Sequence, residues 1–116
     1  MSAQQPPSAE KLKEEDTGVS PEREYAFNPL QAEKEIRTGD FYAKKKSYKA
    51  AAMRYEEATK WNPSLAVAWR KLAEMREKLN DAKAAAEAWR KYLEADPDAK
   101  DGNQIRKKIA ASVTSS

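Results

Sequence analysis

Among 116 residues there is no cysteine and no histidine, so the side chains able to do chemistry reduce to carboxylates, lysines, tyrosines and hydroxyls. Thiolate nucleophiles, imidazole bases, disulfides and ordinary zinc sites are excluded by composition. No catalytic activity, cofactor or metal is therefore expected. What the charged and aromatic residues can still do is recognise another molecule. Arg70, Lys71 and Lys78 could meet an acidic partner, although Glu74 stands four residues from Arg70 and from Lys78, where i to i+4 pairing would make them a solvated face. Lys44, Lys45 and Lys46, with Tyr42 and Tyr48 nearby, could contact phosphates. Three lysines at a helix C-terminus also complement its dipole. Trp61, Trp69 and Trp89 could stack on a ligand, but their helical spacing favours a packed core.

The element that positions these residues occurs twice. Residues 51–63 return as residues 85–97, each position displaced by 34, and a third Asx-Pro pair, Asn28-Pro29, lies another 34 upstream. A small residue, an aromatic four places on and a proline eight further describe one helix. Its first two signature residues share a face, and the proline ends it. Such self-similarity is the mark of a stacked helical array.

Composition agrees. Apolar residues make up 40% and charged residues 35%, with three glycines, which suits a helical domain. No apolar run approaches the ~20 residues of a membrane span, so no membrane insertion is expected. Residues 1–7 lack the basic and apolar regions of a signal peptide, which makes the cytoplasm the default expectation and the periplasm the alternative if a leader or lipid anchor has been removed. The net charge of +3 divides into −3 over residues 1–27 and +6 over the rest. Residues 1–23 carry too little apolar surface to offset the entropy of ordering, and disorder is expected there. Tyr25 and Phe27 break that pattern, either as a staple on the first helix or as cover for an exposed helical face.

Five helices are expected. Asn28 and Pro29 start the first, which runs to about Lys45 with Leu30, Ala32, Ile36, Ala43 and the Phe41-Tyr42 pair on its apolar side. Gly39 inside it implies a neighbouring backbone too close for a side chain. The second runs from the turn at Ser47 to about Lys60, with Tyr48, Ala51, Ala52, Tyr55 and Ala58 in one stripe. The third covers about Ser64 to Leu79, Asn80-Asp81 supplies a left-handed stop and a new cap, and the fourth ends near Ala95. A last helix, about Asp98 to Ala111, has the narrow apolar side of a terminal cap through Ile105 and Ile109. Residues 112–116 are expected to fray.

These residues resemble the tetratricopeptide repeat. Trp69, Leu72, Ala73, Ala85, Trp89 and Pro97 fall on the pattern W-x2-L-G-x2-Y, A-x3-F, P, and Gly39, Tyr42, Ala51, Tyr55 and Pro63 fall on the same grid. The resemblance implies an all-α fold of antiparallel helix-turn-helix units in a short right-handed α-solenoid. Repeat one spans 28–62, repeat two 63–96, and the capping helix 97–111, behind an acidic tail of residues 1–27. Glu35 and Thr38 replace an aromatic and a leucine, suggesting an end with no preceding repeat. Arg76 replaces the tyrosine, its stem on apolar surface and its head in water. Tyr92 should fill space against the cap.

The resemblance further implies a non-catalytic adaptor that binds a protein or peptide segment on its concave face. The family's groove positions carry over to Glu33, Ile36, Asp40, Ala43 and Lys44, and to Val67, Arg70, Lys71, Glu74, Glu77 and Lys78. Members that grip a C-terminal carboxylate use a lysine and an asparagine one turn apart. Ile36 and Asp40 stand there instead, and an aspartate repels a carboxylate. Because two units and a cap make a short array, self-association through the outer side of the first helix is an alternative. A nucleic-acid-binding helical domain is a third. Some bacterial members join their repeats to a membrane anchor through a polar linker, and residues 1–27 resemble such a tether.

Overall fold

Two helices of this chain begin where an Asx side chain meets the first free amides, and four stop where the backbone turns left-handed or reaches Asx-Pro. The computed structural model describes residues 25–114, in which five helices form: α1 (Pro29–Lys44), α2 (Tyr48–Trp61), α3 (Ala66–Lys78), α4 (Ala82–Ala95) and α5 (Gly102–Thr114). There is no strand among the described residues. The expected disorder of residues 1–23 lies outside them, as do residues 115 and 116.

Asn28 Oδ1 accepts the Gln31 N–H at 3.0 Å, and Pro29 takes the first helical position. The Asn28 N–H donates to Trp61 O at 3.0 Å, fastening the start of α1 to the end of α2. Both intra-hairpin turns are Schellman motifs. Lys46 and Asn80, 34 residues apart, each adopt φ 62°. In the first turn Lys46 N–H donates to Ala43 O and Ser47 N–H to Tyr42 O, and in the second Asn80 N–H donates to Glu77 O and Asp81 N–H to Arg76 O, all at 2.9 Å. Asp81 then caps α4 by accepting the Ala84 N–H at 3.1 Å.

Consecutive helices pack pairwise, α1 on α2, α2 on α3, α3 on α4 and α4 on α5, which gives an all-α helical repeat fold. Alanines bring the helices close. Ala51, Ala58, Ala68, Ala73 and Ala88 are wholly buried, and the space between them is filled by Tyr55, Leu72, Met75, Trp89, Tyr92 and Ile105. Burying each large side chain contributes ~1.5–3 kcal/mol. Trp61 and Trp69 are partly buried against the same clusters. Trp69 Nε1–H donates to Pro63 O at 2.7 Å, holding the α2–α3 turn.

Several local expectations change. Gly39 is crowded by a ring rather than a backbone: a Cβ there would lie 2.5 Å from Tyr55 Cε1. Leu30 and Phe41 point outward, 73% and 55% exposed. Glu35 belongs to its own hairpin, buried and held by Arg54 of α2 at 3.2 Å and by Gln31 at 3.1 Å, so its departure from the repeat pattern is answered inside the unit. The Arg76 head does not go to water but donates to Ala84 O at 3.0 Å, with Glu56 3.8 Å away. Helix α5 starts at Gly102 rather than near Asp98, because two successive turns, Ala99 N–H to Asp96 O and Gly102 N–H to Ala99 O, occupy the intervening chain. Tyr25 covers the end of α2, donating to Glu57 at 2.9 Å with its ring edge-on to Trp61 at 4.7 Å, while Phe27 stays 68% exposed.

Candidate functional site

Helices α1 and α3 leave a cavity of about 420 Å³ between them, lined by Asp40, Ala43, Lys44, Tyr55, Lys71, Glu74 and Met75. Five of these are positions that the sequence marks for a groove. Tyr55 and Met75 are not among them, since both are buried in the core and a helical pattern marks such positions for packing. The floor is apolar and the walls are charged. Asp40 accepts hydrogen bonds from the Tyr55 hydroxyl and from Lys71 Nζ, the latter at 3.1 Å, so one carboxylate ties α1 to both α2 and α3. Burial, and then the neighbouring Asp40, push the Tyr55 phenol well above its ordinary pKa. It therefore stays a donor at neutral pH. Glu74 pairs with Arg70 at 3.8 Å.

The remaining marked residues lie elsewhere. Ile36 packs against both core clusters. Glu33 is exposed, and Val67 is 42% exposed in the first turn of α3. Glu77 accepts Trp89 Nε1–H at 2.9 Å and Lys108 Nζ at 3.1 Å, joining α3, α4 and α5. Lys78 is exposed, with Nζ 5.9 Å from the Tyr48 ring centroid.

Arg70 has the most committed position. Its guanidinium donates to the Tyr92 hydroxyl and to Asp101, and Tyr92 in turn donates to Asp101 at 2.8 Å. The hydrogen bonds from Arg70 and then Tyr92 hold the Asp101 carboxyl below its usual range. Asp101 raises Arg70 in return, and burial leads the rise of Tyr92. This triad locks α5 onto the second hairpin, as the Tyr92 ring was expected to do by packing alone. Asp101 gives no signal in the sequence, since it follows the last repeat and meets Arg70 across 31 residues.

A larger hollow, about 570 Å³, lies on the outer side of α2 among Tyr25, Glu35, Met53, Arg54, Glu56, Glu57 and Lys60. Its charges satisfy one another through Arg54–Glu35 and Lys60–Glu57. No group of three residues able to hold a metal ion forms among the described residues. In comparisons with known proteins, no family model matches the chain and no curated protein matches its sequence.

Proposed function

We propose that the chain is a tetratricopeptide-like, non-catalytic interaction module that binds an extended protein segment along the groove between α1 and α3. The observation that carries this reading is the cavity of about 420 Å³, where marked positions from both hairpins converge on an apolar floor of Ala43 and Met75. Such a mixture suits a segment that buries an apolar side chain while its backbone and polar groups meet Asp40, Lys44, Lys71 and Glu74. Asp40 and Lys71 already neutralise each other, so the groove selects against a bare terminal carboxylate at that point.

The test is capture of segments from a random peptide library by the intact chain, repeated with Ala43→Trp, which fills the floor, and Glu74→Lys, which reverses a wall. Enriched segments that lose binding to both variants support the groove; enrichment unchanged by either removes it. Arg70→Glu is unsuitable because it breaks the α5 lock.

A structural role through self-association is favoured by one observation: Phe27 and Leu30 at the start of α1 are 68% and 73% exposed. Sedimentation of the chain and of Leu30→Glu measures it, and a monomer at every concentration eliminates it.

A further inference from the structure

The two intra-hairpin turns lie side by side at one end of the molecule, because Lys78 at the end of α3 sits over the ring of Tyr48, the first residue of α2. That end is strongly positive. Residues 44–49 hold Lys44, Lys45, Lys46 and Lys49 with no acid, and residues 78–83 add Lys78 and Lys83 against Asp81, which is occupied in capping α4. All six lysines are exposed, and none forms an ion pair among the described residues. Lys60, Lys71, Lys91 and Lys108, by contrast, each reach a carboxylate. Where α4 ends, at the other pole, no such cluster forms: Glu94 pairs with Lys91, Asp101 pairs with Arg70, and Asp96 and Asp98 stand beside Lys100.

Two further features accompany the lysines. Phe41 and Leu79 are 55% and 42% exposed, Phe41 with Lys45 Nζ 4.9 Å over its ring and Leu79 next to Lys78. Lys46 holds a left-handed backbone that a side chain with a Cβ adopts at a cost. The equivalent position of the second hairpin uses Asn80, a residue suited to it.

We infer that this end docks on the surface of an anionic lipid bilayer, lysines at the headgroups and Phe41 and Leu79 entering the boundary with the acyl chains. Lysines interleaved with exposed apolar side chains are the chemistry of peripheral membrane binding, in which each lysine near an anionic surface is worth about fivefold in partitioning. A phosphodiester backbone gives the apolar pair nothing to bury, and the six cations lack the arginine fork suited to phosphate. The lysine cluster orients the molecule, with the opposite pole facing away from the membrane. No helix among the described residues is long and apolar enough to cross it, so the contact is superficial.

The intact chain is sedimented with vesicles of phosphatidylcholine alone and of phosphatidylcholine with phosphatidylserine, at low and high ionic strength. Expected is binding to the serine-lipid vesicles only, weakening with salt. It should fall at least about a hundredfold in Lys44→Glu/Lys45→Glu/Lys46→Glu, fall also in Phe41→Ser/Leu79→Ser, and persist in Lys91→Glu/Lys100→Glu at the other pole. Circular dichroism of each variant establishes that it is folded. Absence of binding to serine-lipid vesicles at low salt overturns the inference, as does indifference to Phe41→Ser/Leu79→Ser. Tighter binding to duplex DNA than to serine-lipid vesicles, indifferent to Phe41→Ser/Leu79→Ser, would make the surface a nucleic-acid site. That result replaces the bilayer.

Discussion

Tyr55 in the first hairpin and Trp89 in the second stand 34 residues apart at the same place in the repeat, and they are finished differently. The Tyr55 ring lies against Gly39 and its hydroxyl reaches Asp40. Trp89 packs edge-on to Tyr92 at 5.6 Å and donates to Glu77, itself held by Lys108. The second hairpin is covered by α2 on one side and by α5 on the other, whereas the first has α3 alone. The hairpin with two neighbours spends its polar groups on locking them. The hairpin with one divides them between itself, through Glu35–Arg54 and Tyr55–Asp40, and its neighbour, through Asp40–Lys71 and Glu56–Arg76, and leaves Leu30 and Phe41 in solvent.

The largest effect should come from breaking the doubly covered side. Trp89→Ala removes a side chain that is 2% exposed and empties the junction of α3, α4 and α5, a loss of ~3–5 kcal/mol by the usual cost of such truncations. Urea unfolding measures it. If the hairpins were independent, the transition would split in two; a stack built on shared faces unfolds in one, at lower denaturant.

Gly39→Ala tests the singly covered side. Alanine improves helix propensity by ~1 kcal/mol, but its Cβ would sit 2.5 Å from a fully buried ring. Overpacking of that kind costs ~1–3 kcal/mol, so a net loss of up to roughly 2 kcal/mol is expected. The corresponding residue of the second hairpin is already Ala73, wholly buried. Gly39→Ala combined with Tyr55→Leu should recover much of the loss, and a double-mutant cycle reads the coupling.

A pH series separates the two polar devices. Asp101 has its pKa lowered, so its contribution is present above the ordinary carboxylate range and lost as pH falls through the folded value. Tyr55 and Tyr92 have theirs raised, so theirs are present up to about pH 10 and lost as pH climbs through the folded values. Thermal midpoints should therefore fall at both extremes. Asp101→Asn flattens the acid limb, and Tyr92→Phe weakens the alkaline limb while leaving the share carried by Tyr55.

How much of this the sequence disclosed depends on whether the cause was local. Asn28, Asn80, Asp81, Pro63 and Pro97 act on their own few residues, so the helix count and most boundaries were legible. The groove positions were partly legible, since the 34-residue offset places Asp40 and Glu74 on matching turns. Arg70 and Glu77 could not be placed, because their partners, Asp101 just before α5 and Lys108 within it, are 31 residues away at a helix whose start is fixed by two turns without periodicity. The Arg76 head likewise answers to a carbonyl, Ala84 O, that no side-chain pattern announces.

The smallest change expected is the one that isolates the two turns. Lys46 and Asn80 share φ 62° and the same pair of Schellman hydrogen bonds, so everything but the side chain is held constant. A left-handed backbone costs an ordinary L-residue ~1–2 kcal/mol, and asparagine tolerates it better. Glycine removes that cost but brings back ~0.5–1 kcal/mol of chain entropy. Lys46→Gly should then stabilise the chain by about 0.5–1 kcal/mol, and Asn80→Gly by a few tenths at most. Chemical denaturation of both variants measures the pair. Equal gains would mean that lysine is no more strained than asparagine there, removing one of the reasons for reading Lys46 as a residue kept for its charge.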